Sequence, residues 1–452
     1  MKKNYKKVVN VIGAGLAGCE AAWQAVSLGV SVNLYEMKPL KYTEAHTSPV
    51  FAELVCSNSF KANSLDNATG LLKEELRQMG SLIMSCADGN KVPAGGALAV
   101  DRETFSSDVT EKVKGNELIS VINREVKGLN DFDEDEIVVI ATGPLTSDSL
   151  ADSIFNSQFG RQRKLSFYDA AAPVIYKDSI NMDIAFKASR YGKGGDDYVN
   201  CGMDKLQYEN FYNALINAET AEVHGFDEEN VYEGCMPVEV MAKRGVDSLR
   251  YGPLKPVGLN KEGTPPYWAV IQLRQDNSEG TLYNLVGFQT RLKFPEQKRV
   301  FGMIPGLKEA EFARYGVMHR NTYLCSPGIL NENYQVISKP NLFFAGQITG
   351  VEGYIESVSS GLVAGINAAL LASDGGCIRF PTTTAIGSLC NYVSSYGGSD
   401  FQPMGSNFGI INTSGIQIKD KKLKKRLIAE KALSEICSIR KYMDVYLKDF
   451  AG

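Results

Sequence analysis

The sequence predicts an α/β protein, a Rossmann-like domain interrupted by an inserted α+β domain, on three observations. A β-branched run at 8–12 leads into GAGLAG and a small-residue helix pattern, and VSVNLYEMKP follows as a second strand ending at Glu36, which makes one βαβ unit. Two later apolar runs, EIVVIATGP at 136–144 and NLFFAG at 341–346, end in glycine, as buried parallel strands do when they feed ligand-binding turns. Between them, over 174–334, the texture changes to Tyr-rich, Asn-rich and Pro-punctuated segments. The expected division is 1–173 and 335–452 for the sheet domain and 174–334 for the insertion.

Within the insertion, YWAVIQLR and TLYNLVGFQTRL read as strands. After Gly353, GYIESVSSGLVAGINAALLA carries small residues on one helical face, which suits a helix lying close against a sheet. The stretch from Lys419 reads as a C-terminal helix with a strongly basic first half.

A chain of 452 residues has room for two or three such units. Its 44% hydrophobic and 22% charged residues exclude disordered, collagen-like and coiled-coil classes. Formal charge is −4, so local basic patches, and no global field, would have to hold a nucleic acid. Nine scattered cysteines without a CxxC pair, and only three histidines, argue against a disulfide framework and a metal site and for a reduced, cytoplasmic protein. Gly13, Gly15 and Gly18 interrupt the apolar N-terminal run, so it reads as strand and turn, not as a signal peptide. No apolar run approaches the roughly 18 residues a membrane span needs, and no membrane partner is expected.

GAGLAG, residues Gly13, Ala14, Gly15, Leu16, Ala17 and Gly18, matches GxGxxG in the required place, after a strand and opening a helix. The glycines permit a tight turn and close approach of a pyrophosphate, and the helix N-terminus favours the anion. Glu36 is placed to accept hydrogen bonds from ribose hydroxyls. A tightly packed structural turn is the plainer alternative. ATGPL, with Ala141, Thr142 and Gly143, resembles a motif many flavoproteins carry after a strand, and FFAGQITGVEG, with Gly346, Gln347 and Gly353, resembles a late segment that touches the flavin. In this order they favour FAD over NAD, making the expected fold a Rossmann-like FAD-binding domain. In GGALAVDRETF, Gly95, Gly96, Asp101 and Arg102 either line the same cleft or include a helix N-cap at Asp101.

Cys56, in FAELVCSNSFKANS, and Cys235, in YEGCMPVEVMAKRG, stand in polar loops near basic residues. Such surroundings would depress a thiol pKa and allow a thiolate nucleophile, although most free cysteines are inert and buried. His319, between Arg314 and Arg320, reads as a substrate contact or a structural histidine. Lys243, Arg244, Arg291 and their neighbours interleave with Tyr191, Tyr198, Tyr251, Tyr267 and Phe288. That mixture suits stacking on unpaired bases with phosphate contacts as well as an ordinary solvated face.

Taken together, GAGLAGCEAAW, FAELVCSNS, GGALAVDR, ATGPLTS, YEGCMPVEVMAKRG, TLYNLVGFQT, RYGVMHRNTY and FFAGQITGVEGYIESVSSGLVAGINAA resemble the folate- and FAD-dependent tRNA uracil-5-methyltransferase family, over 11–409. The resemblance implies transfer of a one-carbon unit from 5,10-methylenetetrahydrofolate to carbon 5 of an RNA uracil, with FAD reduced by NAD(P)H. It implies that Cys235 is the nucleophile and that Cys56 acts near the flavin. Family members tend to carry His where this chain has Arg291, and a His-Tyr pair where it has Asn391-Tyr392. These departures leave two RNA targets open, the T loop of tRNA and a uridine of large-subunit (23S) rRNA. A flavin oxidoreductase of a small molecule is the remaining alternative.

Overall fold

The computed structural model describes residues 7–160, 164–192, 195–221, 236–261, 263–416 and 418–451. The strand Val9–Ile12 is buried at every position, as a strand covered on both faces must be. It lies in the middle of a six-stranded sheet ordered Gln335–Val336, Lys339–Phe344, Ile137–Ile140, Val9–Ile12, Val32–Glu36, Ile119–Asn123. All pairings are parallel except the hairpin at the Gln335–Val336 edge. From Val9–Ile12 the chain first builds toward Ile119–Asn123, then crosses to add Ile137–Ile140 and Lys339–Phe344 on the other side. The strand order therefore reverses between Val9–Ile12 and Ile137–Ile140, and crevices open at such a reversal.

Two helices, Leu16–Ser27 and Tyr354–Ala372, lie against one another almost backbone to backbone. A Cβ at Gly361 would meet the Ala17 carbonyl oxygen at 2.3 Å, and one at Gly365 would meet that of Ala21 at 2.4 Å. The small-residue face expected from the sequence is thus a close helix–helix contact. The expectation that no run is long and apolar enough to cross a membrane is corrected here. Tyr354–Ala372 has 19 residues, and its most apolar 18-residue stretch has a mean hydropathy of 1.4 and is 89% buried inside the protein. Its apolar surface is taken up by the first helix and the sheet.

A second six-stranded sheet is antiparallel, ordered Phe186–Lys187, Tyr198–Met203, Ala269–Gln275, Leu282–Leu285, Val174–Tyr176, Phe312–Arg314. The helices Lys205–Ile216 and Phe294–Phe301 supply Tyr208, Phe211, Val300 and Phe301 to a core of its own. Tyr323, Leu324, Ile329 and Leu330 belong to the first core although they precede residue 335. A two-stranded antiparallel ribbon, Lys164–Ala170 with Met318–Leu324, carries the chain out of the first body and back.

The bodies are joined by buried polar contacts. Arg102 donates to Asp276 at 3.1 Å and to the Leu54 carbonyl at 2.9 Å. Arg274 donates to Asn58 at 3.0 Å and to the Ser57 hydroxyl at 2.8 Å. Asp101, for which two readings were open, caps the helix Arg102–Lys114 by accepting from Glu103 and Thr104 N–H. Its other oxygen accepts from Ser278 across the junction at 2.7 Å. Neither Asp101 nor Arg102 lines the cleft described next. The basic C-terminal helix spans Lys421–Ala451.

Candidate functional site

A cavity of about 420 Å³ opens at the reversal of strand order. Its first wall is the turn after Val9–Ile12. Gly13 has φ +97°, and a Cβ there would stand 2.8 Å from the Ala141 carbonyl oxygen. A Cβ at Gly18 would meet the Gly13 carbonyl at 1.8 Å, whereas one at Gly15 would meet nothing within 4 Å. The outer two glycines thus close the turn, and the middle one leaves bare backbone facing open space. Gly15 is also the N-cap of Leu16–Ser27 and supplies no side-chain hydrogen bond, so the first helical N–H groups remain for a ligand.

Glu36, at the end of the next strand, lines the cavity and is 7% exposed. It accepts from Ala14 N–H at 2.8 Å and from Lys38 N–H at 2.9 Å, which fixes the carboxylate at the edge of the cleft. Ala141, Thr142 and Gly143 form the opposite lip, where the Thr142 and Thr146 hydroxyls lie 2.6 Å apart. Gly346, Gln347 and Gly353 complete the wall, and Gln347 donates to Glu352. A bare-backbone turn, an uncapped helix N-terminus and a carboxylate at a strand end fit a dinucleotide such as FAD. Ala14, Leu16 and Ala17 line the cavity with them, whereas Gly18 serves the turn.

Cys56 stands in the same wall. Its Sγ lies 3.3 Å from Asp169 Oδ2 on the ribbon. Tyr354 Oη accepts from Cys56 N–H at 2.9 Å and from Ser57 N–H at 3.1 Å, holding the loop against the start of the core helix. The expected depression of this thiol's pKa is corrected. Burial, and then the nearby Asp169 carboxylate, push it well above the usual thiol value, and the weaker pull of Arg102 does not offset them. Glu352, also in the wall, is raised by burial and by Asp169.

Cys235 lies outside the described residues. Lys243 ends the helix Val238–Lys243, and Arg244 follows as its C-cap; both are exposed. Arg291 is half-buried and donates its backbone N–H to Glu239. Arg320 is exposed on the ribbon beside Ser166, and His319 pairs by backbone with Asp169. The side chains of Lys243, Arg244, Arg291 and Arg320 do not line the cavity, which from the ribbon takes Asp169, Ala170 and Asn321, with Gln289 beside them. The eight described cysteines are free. Among the described residues no group of three His, Cys, Asp or Glu is placed to hold a metal ion.

Sequence reasoning missed Asp169, Lys61 and Arg124, which also line the cavity. No local pattern marks them. Glu352 and Tyr354 fall inside the FFAGQITGVEGYIES stretch, but only the fold shows what they face.

The sheet order, the glycine turn and the acidic strand end define a dinucleotide-binding α/β protein. Residues 8–375 match the family model described as Glucose inhibited division protein A. The chain is 58% identical over 440 residues to a protein of Acetivibrio thermocellus named methylenetetrahydrofolate--tRNA-(uracil-5-)-methyltransferase TrmFO, covering 97% of this chain and 99% of that one. A protein of the same name from Listeria monocytogenes is 55% identical over 433 residues, covering 95% and 98%. The solved structure of Aquifex aeolicus GidA in its form II crystal superposes with a TM-score of 0.71 at 16% identity, covering 98% of this chain and 74% of that one. The chain belongs to the GidA family and, within it, to the group of proteins named TrmFO.

Proposed function

We propose that this chain is a folate- and FAD-dependent RNA uracil-5-methyltransferase that forms 5-methyluridine in the T loop of tRNA. The observation that carries this reading is the 58% identity with a protein of that name over nearly the whole of both chains. In this assignment 1–173 and 335–452 hold FAD, and 174–334 receives the RNA.

Gly13, Ala14, Gly15, Leu16 and Ala17 would face the pyrophosphate, with Gly18 closing their turn, and Glu36 would face the ribose. Ala141, Thr142, Gly143, Gly346, Gln347 and Gly353 would enclose the remainder. FAD reduced by NAD(P)H supplies the reducing equivalents that turn the folate-borne one-carbon unit into a methyl group. Carbon 5 of uracil is a poor nucleophile until a thiolate adds at carbon 6, and Cys235 is assigned that addition. The sulfur–carbon bond forms as the electron pair moves onto the ring as an enolate. Carbon 5 of that enolate would bond to the folate-borne carbon. Loss of the carbon 5 proton would then release the folate nitrogen with its electron pair and leave an exocyclic methylene, and a hydride delivered to that carbon would complete the methyl group as the ring double bond re-forms and the sulfur leaves. Cys56 keeps its proton, and its donation to Asp169 makes the pair a proton store in the cleft wall. The target base must leave its stack to be reached; Lys243, Arg244, Arg291, His319 and Arg320 are assigned to the RNA around it. A protein doing this work is cytoplasmic.

The test combines purified protein, NADPH, labelled methylenetetrahydrofolate and unmodified tRNA, with 23S rRNA in parallel, and maps 5-methyluridine by nuclease digestion and mass spectrometry. Label in the T loop, lost in Cys235→Ala while flavin stays bound, is the expected result. Label only in rRNA keeps the chemistry and moves the target, the reading that Arg291 and Asn391 favour. Label in neither, with NADPH still oxidised, replaces the methyltransferase by a small-molecule oxidoreductase.

A further inference from the structure

Residues 419–426 read KDKKLKKR, six cations and one acid, in a chain whose overall charge is −4. Lys421 opens the helix Lys421–Ala451, whose first turn holds no acidic residue. The helix dipole is positive at that end, so the cations oppose it. Lys421 and Lys425, and Lys422 and Arg426, are also like-charged pairs at i,i+4, which disfavours the helix further. Asp420 offsets part of this by accepting from Lys422 and Leu423 N–H at 2.8 and 2.9 Å, and Arg426 pairs with Glu430. Lys419, Lys421 and Lys422 stay exposed. The exposed cations at this end form a surface whose charge an anion would complement.

The cationic end is fixed in position. Lys425 Nζ donates to the Asp66 carbonyl at 3.0 Å and stands 5.4 Å from the centre of the Phe408 ring. Asp66 follows the strand Ser59–Ala62, whose Ser59 and Lys61 line the cavity. The segment leading into the helix is tied to the same rim, since Glu352 N–H donates to the Met404 carbonyl and Ser406 N–H to Glu356. The apolar face of the helix is spent on the first core, where Ile428, Ala429, Ala432, Ile436 and Met443 are buried. A membrane-surface helix would need that face free to enter the lipid interface.

We propose that Lys419, Lys421 and Lys422 form a docking surface for the phosphate backbone of the RNA substrate. The proposal rests on the RNA-methyltransferase reading. The test measures binding of an unmodified tRNA transcript to flavin-loaded protein across a salt series, for the natural chain and for K419E/K421E/K422E, with methylation of the same transcript followed alongside. The expected result is a Kd raised about tenfold or more and a salt slope reduced by about two to three, because roughly that many phosphates are no longer neutralised. NADPH oxidation and the flavin spectrum stay unchanged. An unaltered Kd and slope overturn the surface, as does binding of phosphatidylserine vesicles that is lost in the variant while RNA affinity is kept. Tight RNA binding by the natural chain without 5-methyluridine would overturn the methyltransferase reading alone, and the variant's Kd would still decide the surface.

Discussion

Cys56 Sγ stands 3.3 Å from Asp169 Oδ2, joining two segments 113 residues apart at the wall of the cleft. Burial and the carboxylate together hold this thiol in its protonated form. Replacing Asp169 by Asn removes the charge, so the thiolate fraction at a given pH rises. Alkylation of Cys56 by iodoacetamide at pH 8, followed by peptide mass spectrometry, should be several-fold faster in Asp169→Asn; an equal or slower rate would contradict the pairing.

Glu36 closes two backbone N–H groups, those of Ala14 and Lys38, at the edge of the cleft. Glu36→Ala leaves both without that acceptor, at a cost of about 1–3 kcal/mol for each buried group. Flavin titration of the apoprotein should show affinity weakened by roughly tenfold or more, with Glu36→Gln in between because its carbonyl still accepts.

Arg102 and Asp276 form an ion pair at 3.1 Å with side chains only 8% and 6% exposed. Removing one partner strands a buried charge, which costs about 3–5 kcal/mol. Urea unfolding should register that loss for Arg102→Ala, and the double variant Arg102→Met with Asp276→Leu should recover most of it.

Glu75 is buried and accepts from Ala385 and Ile386 N–H at 2.7 and 2.9 Å, and burial still raises its pKa from 4.5 to about 8. A carboxyl with a raised folded pKa contributes stability below its unfolded pKa and loses it as pH rises through the folded value. The stability of Glu75→Gln relative to the natural chain should therefore climb between pH 4.5 and pH 8 and level off above. A flat difference in denaturation series across that range would refute the shift.

The glycine-turn half of the cleft was legible because it is local. A strand, a glycine turn, a helix and an acid occupy 9–36, and the outer two glycines are required by atoms nearby in space, Gly13 by the Ala141 carbonyl and Gly18 by the Gly13 carbonyl, while Gly15 faces open space. The wall that holds Cys56 was not. Nothing near Cys56 in sequence announces Asp169, and basic residues in the same loop suggested a lowered pKa that burial reverses. The core helix Tyr354–Ala372 was read for its small face, while its full apolar length was missed because glycine and serine dilute the run.

By itself the sequence determined the βαβ unit, the order of the glycine turns and the family they resemble, since these depend on backbone conformations that only particular residues adopt over a short span. Tertiary structure alone decided what surrounds each reactive group: Asp169 beside Cys56, Tyr354 holding the loop at Cys56, and Arg102 joined to Asp276 across the two bodies. Charge and proton affinity follow from burial and from neighbours, and those neighbours come from strands and loops more than a hundred residues apart.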